Sequence, residues 1–542
     1  MSLSMIPKVM YSETITGTSQ ENVVAHELKH ILEDIGVDDV KLQPVNVLSW
    51  REEECFIETP LGTMKCHALP YSLSVDLEAP IVFAGYIGDK IYVNNDVSGK
   101  IVIIPFPEDP DDAKYVVNKL FANNVVAVVF YDENPGRYRR IVITGVNGFP
   151  FEKGLPPLIP VVSIRKEDKL FIMKKRVTTI RLYVRTSVVH DAVGYNVEGI
   201  INGSTDEEVL VTAHHDHWFT GFSDNLIGVN AILWVAKRFA REHMKKTLRI
   251  ISFTAEESGA PNYAGWYWSW GSRCYIKNRF RNIDKIYAVI NIDAVFMNKF
   301  RISANPCLYK SLFEIGEEHG VTSDRIELDS PYFDSFMFTL NGIPALTIHT
   351  LQELRLNYHT NLDDGKEVSE ETIVNLNKFV ENIVYTLCTR NVYRLDGFYY
   401  EVAKYLENKE DLPLEARILL NKFKQLMLYP NKIDTAEIIR LLTRSFVKAY
   451  AIHSINGDFS SIFIPALAYI KLIESLYEDS IIKDDVFVVG EEKLLLPGVE
   501  IRHNEKTMMC SEIKKIYRRM FVNEIRKAIH VLDEIVLNTI KH

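Results

Sequence analysis

The pattern of hydrophobic and polar residues divides the chain into three regions. In the first, residues 20–36 carry apolar side chains at helical spacing and predict an amphipathic helix. After it, Pro and Gly turns separate short apolar runs around one predicted helix at about 111–123. The predicted strands are 99–104, 125–131, 158–164 and 179–184. This pattern is typical of a small β-rich module.

The second region, from about residue 190 to 390, alternates continuous apolar strands with helical patterns. The predicted strands are 209–213, 248–254, 286–292 and 343–349, and the predicted helices are 225–241 and 373–387. Such alternation indicates an α/β fold in which helices cover both faces of a sheet. Functional groups in these folds gather at the carboxyl ends of the strands.

The third region, from about residue 391 onward, is dominated by helical periodicity. At 542 residues the chain has room for several domains. We therefore expect an α/β domain formed by residues 1–50 and 189–390, a β-rich insert at 51–188, and a helical domain at 391–542.

Composition excludes several classes of function. Lys and Arg number 62 against 72 Asp and Glu, so a net charge of −10 without a basic run argues against a nucleic-acid partner. No apolar stretch approaches the roughly 18 residues that span a bilayer, and the N-terminus lacks a signal pattern, so we expect a cytoplasmic protein without membrane contact. The six scattered cysteines, without CxxC, favour buried thiols in a reducing compartment and no cysteine zinc site.

The residues that point to chemistry begin where the strand at 209–213 ends. This strand runs into His-His-Asp-His at 214–217, and because residues i and i+2 of a strand share a face, His214 and Asp216 can be neighbours. A carboxylate beside a histidine fixes the tautomer of a metal ligand. Asp224 follows at the start of the next predicted helix, where it is either a further ligand or an ordinary N-cap.

The other strands of this region end in similar residues. Glu256 and Glu257 follow the second strand, Asp293 follows the third, and His349 closes the fourth, with His359 shortly beyond. Two adjacent carboxylates at a buried strand end are costly unless a positive charge, such as a dication, lies beside them. Each residue alone is more often a cap, a turn former or a structural histidine. Ligand-type residues at the same end of four strands favour a functional site.

The chemistry of these side chains suits a metal. Nitrogen and oxygen ligands without sulfur favour zinc or a neighbouring first-row divalent metal. Two histidines and three carboxylates are enough for two metals bridged by one carboxylate, and paired metals hold a hydroxide and polarise a carbonyl. A further carboxylate can act as general base. The residues therefore predict amide-bond hydrolysis, and no GxSxG or Cys/His signature competes with this prediction.

Taken in order, these residues resemble the motifs of the co-catalytic zinc exopeptidases, family twenty-eight of the metallopeptidases: HxD, an Asp about ten residues on, Glu-Glu, a strand-end Asp and a late Tyr-His-Thr. The resemblance implies a mixed sheet covered by helices and two Zn²⁺ ions. It implies these metal ligands: His214, Asp224 as the bridge, Glu257, Asp293 and His359. It also implies that Asp216 orients His214, that Glu256 is the general base activating a metal-bridging water, and that Tyr358 stabilises the tetrahedral intermediate. His349 is the competing choice for the late histidine.

The chain also resembles one branch of that family, which contains glutamate carboxypeptidase and the transferrin receptor. The HxDxW segment at 214–218 is similar to that branch, and residues 80–185 resemble its protease-associated (apical) domain. Leu496-Pro497-Gly498-Val499 before the final helix resembles part of its dimerisation domain. The resemblance therefore implies an inserted protease-associated domain and a C-terminal helical domain that forms a homodimer.

Two stretches depart from the family pattern. The Gly-rich residues that usually follow the Glu pair give way to an aromatic run at 266–270, which is either a buried helix face or a wall of the substrate site. The arginine by which glutamate carboxypeptidase grips a free carboxylate has no counterpart at 92–95. Arg137, Arg139 and Arg140 either take its place or lie in a solvated loop.

The leading hypothesis is a di-zinc metallo-exopeptidase acting at a peptide terminus, with aminopeptidase favoured over carboxypeptidase activity. An aminopeptidase needs carboxylates near the scissile bond to hold the substrate ammonium, whereas a carboxypeptidase needs an Arg or Lys for the terminal carboxylate. The alternatives are a glutamate carboxypeptidase-like enzyme and a non-catalytic, transferrin receptor-like scaffold. A scaffold has no need of five intact ligands and a base.

Overall fold

A computed structural model describes residues 5–537 except for the following gaps: 88–89, 94–95, 145–153, 355, 408–412, 428–434, 452–458, 464–480, 484–485, 490–491, 496–518, 520–521 and 524. The described α-helices are α1 (Ser19–Ile35), α2 (Ala113–Phe121), α3 (Lys166–Lys174), α4 (Ile227–Phe239), α5 (Trp270–Arg279), α6 (Tyr309–Gly316), α7 (Asp334–Leu340), α8 (Leu351–Leu354), α9 (Glu370–Thr389), α10 (Asp396–Leu406), α11 (Leu414–Met427) and α12 (Thr435–Phe446).

The described strands alternate with these helices through most of the chain. They are β1 (Asp39–Thr59), β2 (Gly62–Lys65), β3 (His67–Ala68), β4 (Val75–Ile87), β5 (Lys90–Val93), β6 (Ile101–Pro105), β7 (Ala127–Tyr131), β8 (Val161–Ile164), β9 (Thr179–Ile201), β10 (Thr205–His214), β11 (Lys246–Phe253), β12 (Ile286–Ile292), β13 (Arg301–Ala304), β14 (Ile326–Leu328), β15 (Ala345–His349), β16 (Val447–Ala451), β17 (Phe459–Phe463), β18 (Ile481–Lys483), β19 (Val486–Val489) and β20 (Glu492–Leu495).

A mixed sheet in the order β14-β13-β15-β12-β10-β11-β9 forms the centre of the fold. The four strands β15, β12, β10 and β11 are parallel, and β13 and β9 border them in the antiparallel direction. Helix α4 contacts both α1 and α9, all three contact the sheet, and α5 and α7 form a second contacting pair. The predicted α/β sheet covered by helices is confirmed. Its parallel strands are apolar because both faces are buried.

Two long strands connect the central sheet to the 51–188 segment. β1 and β9 pair in antiparallel fashion over most of their length, from Asp39↔Ile200 to Glu58↔Arg181. The predicted strand 179–184 is therefore only the beginning of β9. The domain boundaries expected at 50/51 and 188/189 both fall inside these strands, and the division stays a prediction. Beyond them, the parallel strands β6, β7 and β8 are fully buried.

The C-terminal region is less uniformly helical than expected. Helices α10, α11 and α12 are followed by the β16–β17 hairpin and by the three-stranded β18–β20 sheet. β19 is rich in valine, a β-branched residue that favours strands. The segment 496–499, on which the dimerisation resemblance rests, lies outside the described residues, so the homodimer stays a prediction.

The cysteines differ from the expectation of free thiols. Cys55 and Cys66 form a disulfide, because the β1–β2 hairpin brings their Cα atoms to 5.4 Å. Their separation of 11 residues gives no CxxC signal. Cys274, Cys307 and Cys388 are free thiols. Disulfides persist mainly in oxidising environments, so the cysteines give the expected cytoplasmic location no support. None of the described helices combines the length and hydrophobicity needed to cross a membrane.

Candidate active site

The carboxyl ends of three neighbouring parallel strands open at one edge of the central sheet. His214 is the last residue of β10, Glu256 and Glu257 follow β11, and Asp293 follows β12. All four side chains are buried, with at most 7% of each residue exposed. The predicted convergence of these strand ends is therefore observed, because parallel strands in register deliver the residues that follow them to the same place.

The backbone turns sharply where it enters this site. Ala255 immediately precedes the Glu pair with φ 56°, Ala294 immediately follows Asp293 with φ 47°, and His359 itself has φ 54°. Residues with a Cβ atom rarely adopt this left-handed conformation, which costs about 1–3 kcal/mol and persists only where surrounding contacts enforce it. Such positions cluster at functional sites, and the sequence contains no signal for them.

The predicted ligands form two groups that share Asp224. On one side, Nε2 of His214 lies 3.2 Å from Asp224 Oδ1 and 3.3 Å from Asp293 Oδ1. On the other side, Nε2 of His359 lies 3.5 Å from Asp224 Oδ2 and 2.9 Å from Glu257 Oε2. Each carboxylate oxygen of Asp224 thus faces a different histidine. The five residues that the sequence predicts as ligands are all brought together.

Asp224 does not cap a helix, which was the other interpretation of its position. Helix α4 begins at Ile227, and the side chain that accepts a backbone N–H of its first turn is that of Asn225, whose Oδ1 accepts the N–H of Gly228 over 3.1 Å. The Asn225 amide also donates to the carbonyl of Ile292 over 2.8 Å and so ties the turn to β12. The Asp224 carboxylate remains directed at the histidines.

Asp363 holds the turn that presents Asp224, and sequence reasoning missed it. Its carboxylate accepts the backbone N–H groups of Ser223 and Asp224 at 2.9–3.2 Å. Asp363 lies four residues after His359 in an Asn-Leu-Asp-Asp-Gly stretch that is typical of an ordinary turn. Nothing local to that stretch indicates a partner about 140 residues earlier.

Asp216 lies beside His214, but its carboxylate is engaged elsewhere. Nδ1 of His214 is 2.9 Å from the backbone carbonyl oxygen of Asp216 and 3.9 Å from the nearer carboxylate oxygen. The carboxylate accepts the backbone N–H groups of Glu256 and Glu257, each over 3.1 Å, and the hydroxyl of Thr16 over 2.8 Å. The backbone oxygen therefore fixes the His214 tautomer, and the carboxylate fixes the turn carrying the Glu pair.

His349, the competing choice for the late histidine, lies outside this cluster. Its Nε2 is 3.0 Å from the hydroxyl of Ser303 and 3.7 Å from Glu327. Its ring packs against Phe333 with the ring centres 4.7 Å apart. Burial, helped by the positive charge of Arg301, lowers its pKa to about 3. His349 is a neutral structural histidine at the end of β15.

The pKa shifts within the cluster show that its buried carboxylates require a positive charge beside them. Burial strongly raises the pKa of Glu256, against the opposing effect of His214, and burial also raises the pKa of Glu257 to about 7. Burial opposes protonation of His359, yet Glu257 and Asp224 outweigh it and raise its pKa to about 10. The carboxylates therefore draw protons onto the histidines. A dication supplies that charge while leaving the histidines neutral.

The side chains of the cluster suit zinc, and the geometry shows this independently of any sequence motif. One ligand atom each from His214, Asp224 and Glu257 lies within 4.8 Å of the others. Among the described residues, Oε1 of Glu257 is buried without a hydrogen-bond partner. Buried carboxylate oxygens are costly when unpaired, and a cation removes that cost. Imidazole nitrogen and carboxylate oxygen are ordinary zinc ligands.

A cavity of about 290 Å³ opens directly onto the cluster. Its described lining includes the Glu pair, an aromatic wall and a polar group from the 109–114 stretch before and within α2. The aromatic wall consists of Tyr267, Trp268, Tyr332, Phe333 and Tyr358, and the polar group of Asp109, Asp111 and Lys114. Within the aromatic run at 266–270, Tyr267 and Trp268 precede α5 and line the cavity, whereas Trp270 is the first residue of α5. Sequence reasoning missed the two aspartates.

The three arginines considered as substrate ligands are engaged in internal contacts. Arg139 is 3% exposed and pairs with Asp132 over 2.7 Å. Arg140 is 1% exposed and pairs with Glu13 and Glu52. The Arg137 guanidinium donates to the side chain of Asn357. None of them lines the described cavity, and Arg139 and Arg140 are buried, whereas Arg137 is partly exposed. For Arg139 and Arg140 both interpretations were wrong, because long-range packing decides their position.

Comparisons with known proteins agree with this geometry. Residues 196–384 match the model described as Peptidase family M28. Carboxypeptidase Q of Bos taurus is 24% identical over 263 residues, which are 43% of this chain and 53% of that protein. The match thus spans about half the length of this curated relative. These findings show that residues 196–384 are similar to M28 peptidases.

Solved structures show the same fold. A zinc aminopeptidase from Bacillus subtilis aligns with a TM-score of 0.56 and 21% identity over 72% of this chain and 94% of that chain. An M28 peptidase precursor from Shewanella amazonensis aligns with a TM-score of 0.57 and 19% identity, again over 72% and 94%. At this level of identity the matches show a shared fold.

Proposed function

We propose that the chain is a zinc-dependent exopeptidase of the M28 type, and that it acts as an aminopeptidase. The strongest support is the buried cluster in which Asp224 lies between two histidines at the floor of a cavity. His214 and Asp293 would hold one zinc ion, His359 and Glu257 a second, and Asp224 would bridge both. This arrangement keeps each ion on nitrogen and oxygen donors.

Glu256 is the proposed general base. Zinc supplies Lewis acidity, which polarises a peptide carbonyl and makes water easier to deprotonate. Glu256 lines the cavity, and burial raises its pKa, so it can take a proton from the attacking water and return it to the departing amine. The Ser269 hydroxyl donates to its Oε1 over 3.3 Å and so orients the carboxylate. Tyr358 lines the cavity, and its hydroxyl is the proposed donor to the developing oxyanion.

The charge of the cavity wall supports aminopeptidase activity. Asp109 and Asp111 line the cavity in addition to the four carboxylates of the metal cluster and base. Burial and the neighbouring Asp109 raise the pKa of Asp111, so the ammonium of a peptide N-terminus would stabilise the charged form of this carboxylate. The structural relative from Bacillus subtilis is described as a zinc aminopeptidase, in agreement with this choice.

Carboxypeptidase activity is the second candidate, and Lys114 is the observation that favours it. It is the one Lys or Arg among the described residues of the cavity lining, where it could receive a terminal carboxylate. The bovine relative is named a carboxypeptidase. We favour the aminopeptidase because two aspartates flank this single lysine. A transferrin receptor-like scaffold would have no need of the complete cluster.

The finer assignments are proposals of the same kind. We propose that residues 51–188 form a protease-associated domain of the glutamate carboxypeptidase branch, whose 109–114 stretch closes the cavity. We also propose that residues 391–542 mediate homodimerisation. Light scattering at micromolar concentration tests the dimer, and a monomer there would remove it.

Three forms of one decapeptide test the reaction: unblocked, N-acetylated and C-amidated. Each is incubated with zinc-loaded protein, and mass spectrometry follows the lost residues, with the Glu256→Gln variant as a control for contaminating peptidases. We expect sequential loss from the N-terminus of the unblocked and amidated peptides and no cleavage of the acetylated one. Loss from the C-terminus would establish a carboxypeptidase. No cleavage, together with absent zinc, would favour the scaffold.

A further inference from the structure

The loop that carries His359 is held by a distant segment of the chain. We call residues 356–361 the histidine loop and residues 137–140 the arginine segment. An isolated antiparallel bridge joins them, and the backbone N–H of Arg140 donates to the carbonyl of His359 over 2.9 Å. The histidine loop belongs to no described helix or strand, so these contacts replace the support of regular secondary structure.

The side chain of Arg139 makes the most extensive contact between the two segments. Its guanidinium donates to the backbone carbonyl of Leu356 over 3.0 Å and to that of Tyr358. The same group donates to Asp132 Oδ2 from Nε over 3.2 Å and from Nη2 over 2.7 Å. Arg139 therefore connects a buried carboxylate on one side to two loop carbonyls on the other. The fork of donors in a guanidinium makes this possible, and a lysine ammonium has no equivalent geometry.

We infer that Arg139 is a positioning residue for His359, and so for the metal site that His359 completes. His359 has φ 54°, an unfavourable backbone conformation that surrounding contacts must enforce. Arg139 supplies such contacts at the carbonyls of Leu356 and Tyr358. The backbone N–H of Arg140 supplies one at the carbonyl of His359 itself. The arginines thus act on the backbone of the loop rather than on the substrate. This inference rests on the proposed function in that it treats His359 as a zinc ligand.

Three variants separate positioning from general stability. Arg139→Lys retains a charge for Asp132 but cannot reach both carbonyls. Asp132→Asn weakens the buried ion pair and leaves the guanidinium beside the loop. Arg165→Lys is the matched control, because Arg165 pairs with Asp168 over 2.9 Å in a position that is 41% exposed and makes no described contact with the histidine loop.

Three measurements follow each variant. Chelator competition gives the affinity for each zinc ion, thermal melting gives the stability of the metal-free protein, and hydrogen–deuterium exchange gives the protection of residues 356–361 without metal. We expect Arg139→Lys to lower the affinity for one of the two zinc ions about 10- to 100-fold, the usual effect of losing a group that orients a ligand. The same variant should speed hydrogen–deuterium exchange in the histidine loop. Asp132→Asn should lower the melting temperature at least as much as Arg139→Lys does, but with a smaller loss of zinc affinity. Arg165→Lys should change neither zinc binding nor loop exchange.

Unchanged loop exchange in Arg139→Lys would overturn the positioning role, whether or not zinc binds. The role would also be overturned if the loss of zinc affinity were proportional to the decrease in melting temperature across the variants. That result is expected of a purely structural residue. A wild-type protein that binds no zinc would instead remove the proposed function, and the exchange measurement would still decide whether Arg139 orders the loop.

Discussion

The carboxylate of Asp216 accepts a 3.1 Å hydrogen bond from the backbone N–H of Glu256, across the gap between the ends of two parallel strands. Its second oxygen accepts the N–H of Glu257 over the same distance. One buried carboxylate next to His214, a proposed ligand, therefore fixes the backbone of both the proposed base and the adjacent proposed ligand. This relationship couples the proposed metal site to the proposed base through main-chain atoms.

Asp216→Asn should reduce turnover while leaving most of the zinc bound. The amide keeps one acceptor oxygen but turns an N–H₂ group toward a backbone donor, so one of the two N–H groups loses its partner. We expect a fall in kcat of about 10- to 100-fold, in line with the loss of a group that orients ligands. Steady-state kinetics and zinc content measured on the same preparation test this. Thr16→Val is the control, because it removes the third hydrogen bond to this carboxylate, together with the bond to the Ser258 carbonyl, and leaves both backbone N–H bonds in place.

Glu256→Gln should separate zinc binding from catalysis. Glutamine can still accept the Ser269 hydroxyl, but it cannot take a proton from water. We expect kcat to fall by about 100- to 10,000-fold with unchanged zinc content, because general acid–base catalysis contributes that much. Near-normal turnover in this variant, with zinc content measured by mass spectrometry, would show that another group is the base.

Much of the central fold was predictable because its strands are buried on both faces. All seven residues of Ile286–Ile292 are buried, and the predicted and observed bounds of this strand are identical. The start of β9 is different, since it alternates buried and partly exposed residues and continues through an exposed stretch, so only its first residues gave a strand pattern. Its full length depends on pairing with β1, a tertiary contact.

The proposed ligands were predictable for the same reason, and their supporting residues were not. His214 ends one apolar strand and Asp293 follows another, and the parallel register of the two strands brings them together. Asp363 and Arg139 reach the site only through contacts with residues about 140 and 220 positions away. The sequence around each is consistent with an ordinary turn or surface loop, and only the packed chain reveals its partner.

His359→Gln and His349→Gln should differ in zinc content. His359 lies within 3.5 Å of two carboxylates of the cluster, whereas His349 contacts Ser303 outside it. We expect His359→Gln to lose about one zinc ion per chain and most activity, and His349→Gln to retain both. Metal analysis after dialysis against micromolar zinc makes the comparison. Loss of zinc from His349→Gln alone would reverse the assignment of the late histidine.

Asp111→Asn should weaken binding of peptides with a free N-terminus. The charged carboxylate would make a charge-assisted hydrogen bond with the substrate ammonium, worth about 1.5–3 kcal/mol. We therefore expect kcat/KM to fall about 10- to 100-fold, mainly through KM. Lys114→Gln is the matched control from the same stretch and should have a smaller effect. A larger loss in Lys114→Gln than in Asp111→Asn would favour the carboxypeptidase.

His349 should make the metal-free protein less stable in acid. Burial and the charge of Arg301 lower its pKa to about 3 in the folded state, against 6.5 for an ordinary histidine, while Glu327 at 3.7 Å does not reverse the shift. Between these values the unfolded chain binds more protons, so stability is full above pH 6.5 and falls with pH toward 3, by up to about 1.4 kcal/mol per unit. His349→Gln lacks this proton uptake. Its melting temperature should therefore drop less than that of the wild type between pH 7.5 and 4.5, and equal drops would show that His349 is not a buried neutral histidine.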